Sequence, residues 1–179
     1  MKYLFVFSMV VLLSFCNTFS QDLNKKQSQS EIEGFTSQDG ILLQKEFIDV
    51  GEFKKCKINI AIFTDLLANI SKKGIRFEYE VKGKYSNDTK IAFLDVDEID
   101  ALIKSITIIK ENVLPQIKNN YTEIQYTSRG GFIAGCYWSD KSWTGFMKIE
   151  KYDKDSYMWF KSTEFDQLLT VLNNAKLKL

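Results

Sequence analysis

A chain of 179 residues, 45% of them hydrophobic and with a formal net charge of +1, suits one globular domain with a substantial core and does not suit disorder. So small a net charge leaves no electrostatic footprint for nucleic acid, whose partners carry a basic face. The chain has no histidine, which removes the commonest general base, the Ser-His-Asp and Cys-His arrangements and most zinc sites.

The N-terminus has the form of a secretory signal over residues 1–20. Lys2 precedes the short apolar run Leu4–Leu13, and Thr18-Phe19-Ser20 places small residues at the −3 and −1 positions before Gln21. The run is too short to cross a bilayer core of roughly 30 Å. Leu13-Ser14-Phe15-Cys16 is a loose lipoprotein box, with bulky Phe15 where a small residue normally stands. Export as a free periplasmic or extracellular protein is therefore the reading taken, with a lipid anchor at Cys16 as the alternative. Removing residues 1–20 leaves 23 basic and 23 acidic groups. Residues 21–39, with the polar tract Lys25-Lys26-Gln27-Ser28-Gln29-Ser30, read as a flexible leader, and residues 40–179 as a single domain.

In that domain, Gly40–Phe53 reads as a first strand or strand pair turning at Gly51. Residues from Cys56 onward alternate, with Ile58, Ile60 and Ile62 on one face. Ser71-Lys72-Lys73-Gly74 reads as a turn before a second clean alternation, Ile75, Phe77, Tyr79 and Val81. After a turn over Gly83–Thr89, Lys90–Leu94 forms a fourth strand leading into a helix. Asp97 is its expected N-cap, and its apolar stripe comprises Ile99, Leu102, Ile103, Ile106, Ile109 and Val113. Pro115 ends it. The second half repeats the plan: strands at Tyr121–Tyr126, Phe132–Trp138, Trp143–Lys151 and Tyr157–Phe160, then a helix capped by Thr163.

The two helix starts align without a gap at an offset of about 66 residues, a spacing set by the matched pairs themselves. Glu98 matches Glu164, Asp100 matches Asp166 and Lys110 matches Lys176. Neither helix is stable alone at this length, so each apolar stripe has to lie on an antiparallel sheet. The expected fold is α+β, with two-layer antiparallel sheets, two helices and an internal duplication of a ββββα unit, about 40–118 and 119–179. The order ββββα–ββββα resembles that of the Whirly and PUR-type single-stranded nucleic-acid-binding folds. The resemblance lies in element order alone, shares no motif residue and carries no function to this chain.

No catalytic constellation, metal site or cofactor motif emerges. Asp95, Asp97, Glu98 and Asp100 lack the spacing and central glycine of a calcium loop and suit helix first turns, as do Glu164 and Asp166. A carboxylate-dependent hydrolase is a distant alternative. Cys56 and Cys136 are expected either to pair as a structural disulfide or to pack as two buried thiols. Aromatic residues crowd the second half, where Tyr137 and Trp138 must face opposite sides of their strand. Whichever faces outward, beside Arg129 and Trp143, is the expected contact surface for a protein or small-molecule ligand. The leading functional expectation is an exported, non-catalytic binding domain. A lipid-anchored structural or assembly protein of the cell envelope is the alternative.

Overall fold

The computed structural model describes residues 29–83 and 87–179. The expected export signal, Cys16 and the leader up to residue 28 lie outside the described residues. The first repeat contains strands β1 (Leu43–Phe53), β2 (Cys56–Asp65), β3 (Ile70–Lys82) and β4 (Asn87–Asp95), followed by helix α2 (Ile99–Ile108). The second contains β5 (Thr122–Thr127), β6 (Ile133–Ser139), β7 (Ser142–Lys148) and β8 (Tyr157–Lys161), followed by helix α3 (Phe165–Leu177). Each repeat forms one antiparallel meander, β1-β2-β3-β4 as sheet A and β5-β6-β7-β8 as sheet B. The α+β class and the duplicated ββββα plan are thus the architecture of the molecule. β1 is a single strand, and Gly51 marks a bulge in its pairing with β2 instead of a turn.

The inner faces of both sheets meet α2 and α3 in one continuous core. Ile58, Ile60, Ile75, Phe77 and Leu94 of sheet A join Cys136, Met147 and Phe160 of sheet B there. The helices pack against each other, and α3 lies mainly on β1 and β2 of the other repeat, while α2 reaches β6. Two ion pairs mark the pseudo-two-fold relation: Lys110 binds Asp166, and Lys176 binds Asp100. These are the residues matched by the sequence repeat, with partners exchanged across the axis, as an isologous contact requires. Both helices begin with a short 3-10 turn. In each, a glutamate reaches back to a backbone N–H three residues earlier, Glu98 to Asp95 at 3.3 Å and Glu164 to Lys161 at 2.7 Å. Glu98 and Glu164 thus hold the two helix starts in the same way.

Two expectations are corrected here. The β2–β3 turn lies at 66–69, with Asn69 at positive φ, and the strand runs through Ser71-Lys72-Lys73-Gly74. Nor is the leader wholly flexible, because Glu31–Thr36 forms a third helix, α1, seated on the outer face of sheet A. Its two buried residues, Ile32 and Phe35, pack with Ala61, Phe63 and Phe93. Gly74 makes this possible, since a Cβ there would overlap both Leu94 O and Ile32 Cδ1. Six residues cannot hold a helix in water, so capping matters. Ser30 and Glu33 close a capping box, and the buried Asp95 carboxylate accepts from Glu31 N at 2.8 Å and Ile32 N at 3.2 Å. Residues 30–36 therefore belong to the folded domain, and α1 adds a third layer over part of sheet A.

Candidate binding surface

The four residues singled out by sequence do not converge. Trp138 and Trp143 both face inward, 9% and 7% exposed, with ring centroids 5.4 Å apart in an edge-to-face contact. Trp143 Nε1 donates to Gln116 O at 2.8 Å, which satisfies its one polar atom. Both belong to the core, so neither serves as a contact residue. The reason is the parity of β7. Gly145 follows Trp143 on the same face, and the Phe160 ring lies where a Cβ of Gly145 would be, so this face is the packed one.

Arg129 is likewise engaged inside the molecule. Its guanidinium donates to Asp97 Oδ2 and Asp95 Oδ2, each at 2.9 Å, and its backbone N–H donates to Glu98 Oε1 at 2.7 Å. It thereby ties the β5–β6 connection to the α2 start and, through Asp95, to α1. The Arg129 hydrogen bond holds the Asp97 carboxyl below its ordinary range. Nearby Glu33 is pushed the other way, mainly by burial and further by Asp95 and Glu98. These carboxylates cap helices and neutralise Arg129, which is a structural role.

Cys56 and Cys136 are buried free thiols, so the disulfide expectation is corrected in favour of packing. Burial pushes both thiols up to about 12.

Of the four, Arg129 is exposed but engaged by carboxylates of its own chain, while Tyr137 lies on the outer face of sheet B and belongs to an aromatic array that spans it. Antiparallel register puts Phe146 beside Trp159 and Lys148 beside Tyr157. Tyr157 and Trp159 stack at 4.8 Å with planes 1° apart, and Tyr137 meets Trp159 edge-on at 5.5 Å. Phe146 forms the floor, within 6.5 Å of all three rings and buried by them. Trp159 remains 52% exposed, and Tyr121, whose ring is 6.1 Å from Tyr137, is 66% exposed. The Tyr121 hydroxyl donates to Glu123 Oε2 at 2.6 Å, a bond that pushes the phenol up to about 12 and anchors the carboxylate at the β5 edge. Past Tyr121 a shallow cleft of about 640 Å³ opens between Ile117–Asn120 and the β6–β7 turn.

Comparison of the repeats shows how unlike the two outer faces are. In sheet A the row that seats α1 is Phe47–Ala61–Gly74–Asp95. The matching row of sheet B is Glu123–Tyr137–Thr144–Lys161. The hollow made by Ala61 and Gly74 is filled by Tyr137 and Thr144, and the helix-capping Asp95 becomes Lys161. Phe93, covered by α1, corresponds to the exposed Trp159. Among the described residues nothing covers this face of sheet B. Phe146, Tyr157 and Trp159 are among the aromatic residues that crowd the second half of the sequence. The signal lay in strand parity, which puts them opposite Met147, Met158 and Phe160.

No protein-family model matches the chain, and no curated protein or solved structure is significantly similar to it. The likeness in element order to the Whirly and PUR-type folds therefore has no matching sequence or structure beside it.

Proposed function

We propose that the protein is an exported, non-catalytic binding module that engages its partner through the outer face of sheet B. One observation carries this reading. One part of the outer face of sheet A, around Ala61, Phe63 and Phe93, is covered by α1, whereas the equivalent face of sheet B offers Tyr121, Tyr137, Tyr157 and Trp159 over a Phe146 floor. Exposed aromatic clusters with a polar rim are the usual anchors of recognition surfaces. The rim here comprises Glu123, Gln125, Thr144, Lys148 and Lys161.

Binding is measured as retention of the labelled protein on immobilised peptides, oligosaccharides and the protein itself. Retention that Trp159→Ala and Tyr137→Ala lower by about tenfold or more, with Tm nearly unchanged, is the expected result. Retention that neither change affects, or none on any surface, overturns the reading. Export rests on the Lys2, Leu4–Leu13 and Thr18–Ser20 pattern. No helix among the described residues is long and apolar enough to cross a membrane. The intact mass of the protein recovered from its native host tests this. A chain starting at Gln21 supports free export, an acylated Cys16 supports the anchored alternative, and an uncleaved Met1 overturns both.

A further inference from the structure

Resting on that reading, we infer that the occupant of the sheet B face is a second copy of this chain, docked face to face about a two-fold axis parallel to the strands. Charge and register point to this occupant. β5 and β8 are the two edges of sheet B, and the row across its outer face is Glu123–Tyr137–Thr144–Lys161. A carboxylate therefore stands at one edge and an ammonium at the other, at the same height along the strands. Among the described residues, Lys161 has no ion-pair partner and Glu123 is held only by the Tyr121 hydroxyl.

A two-fold axis along the strands, between β6 and β7, lays β5 of one copy over β8 of the other and preserves height. Glu123 then faces Lys161 of the second copy, and the same pair forms again across the axis. An axis perpendicular to the strands would lay β5 on β5 and pair neither charge. The next row, Gln125–Gly135–Phe146–Trp159, fits the same operation. Gly135 and the Phe146 floor are both buried and add no bulk to the row, and the exposed Trp159 ring lies over Gln125. In the third row the Lys148 ammonium is no obstacle, because it donates to Lys151 O at 2.8 Å and sits 4.8 Å from the Tyr157 ring. The molecule already uses this device internally, in the exchanged Lys110–Asp166 and Lys176–Asp100 pairs.

A helix like α1 does not suit the face. Tyr137 and Thr144 fill the hollow it would need, and Lys161 would stand at its positive N-terminal end. A four-stranded face about six residues long covers roughly 400 Å² at ordinary strand spacing and rise, so the dimer is weak and concentration-dependent.

Sedimentation velocity of the full chain from about 1 μM to about 1 mM, at low and high salt, tests this. Wild type is expected to shift from monomer to dimer with rising concentration, less so in high salt. Glu123→Lys and Lys161→Glu each place like charges face to face and should weaken the dimer by about tenfold or more. The double variant E123K/K161E restores the pairing and should return most of the affinity. Both positions are exposed, and circular dichroism melts verify that the variants fold. A wild type that stays monomeric throughout, or a double variant without rescue, overturns the inference. If the monomer nonetheless shows Trp159-dependent retention on a peptide or oligosaccharide, only the second-copy inference falls. If it shows none, the binding reading falls with it.

Discussion

Replacing Ile32 by alanine tests whether α1 belongs to the cooperative domain. The side chain is 1% exposed, and its Cδ1 sits against Gly74 on the outer face of sheet A. The change removes three methyl or methylene groups at about 0.8 kcal/mol each, roughly 2.4 kcal/mol before any cavity contribution. Incomplete collapse around Phe63 and Phe93 raises the expected cost to about 2–4 kcal/mol. Urea unfolding followed by tryptophan fluorescence is the informative assay, because Trp138, Trp143 and Trp159 all lie in the second repeat. A shifted midpoint then reports coupling from α1 through Asp95 and Arg129 into sheet B, the route the hydrogen bonds describe. Exchange of the Ile32 amide, which donates to the buried Asp95, gives a second readout. The exposed Glu31→Ala change, which loses only a surface ion pair with Lys72, should cost less than about 1 kcal/mol. An Ile32→Ala midpoint within about 0.5 kcal/mol of wild type, together with an Ile32 amide exchanging like free peptide in the wild-type protein, would refute the reasoning.

Trp143→Ala should cost roughly 3–5 kcal/mol, since it empties a core site and orphans Gln116 O, whereas Trp159→Ala should cost about 1 kcal/mol or less. Equal losses in chemical denaturation would contradict the opposite facing of the two rings. The Cys56 and Cys136 thiols, buried and pushed up to about 12, should react with a thiol reagent at pH 8 only as fast as the protein unfolds. A midpoint that falls on adding reductant would instead reveal a disulfide. Arg129→Ala should destabilise by roughly 2 kcal/mol at pH 7 through its lost charge-assisted bonds. Because Asp97 is depressed in the folded state, the stability it contributes is present above its unfolded pKa of about 3.9 and lost as pH falls through the lower folded value, so the gap between wild type and variant should narrow in acid. Glu33 has the opposite sign. Its raised folded pKa costs stability as pH rises past its ordinary value, so Glu33→Gln, which keeps an acceptor for Ser30 N, should stabilise at pH 7 and lose that gain near pH 3. A gain unchanged across this range would show that the carboxyl is not the cause.

The duplicated plan was legible in the sequence because it rests on local chemistry. Alternation at Ile58, Ile60, Ile75 and Phe77 specifies half-buried strands, and the acid-led apolar stripes after Asp97 and Thr163 specify helices. Even the exchanged ion pairs were present as the matches of Asp100 with Asp166 and Lys110 with Lys176. Tertiary structure decided what local pattern leaves open. A period of two separates Tyr137 from Trp138 but cannot say which side is core when both are aromatic; the Phe160 ring over Gly145 settles that. Ser30 and Glu33 spelled a capping box, yet two apolar residues in a polar tract cannot specify a helix. It forms because Gly74 leaves room for Ile32 and Asp95, more than 60 residues along the chain, supplies the cap. Arg129 looked like a free anchor for the same reason: only the fold brings it to Asp95, Asp97 and Glu98, which engage it although it stays exposed. Which outer face is covered and which is left open is likewise nonlocal, and it turns on Asp95 in one repeat standing where Lys161 stands in the other.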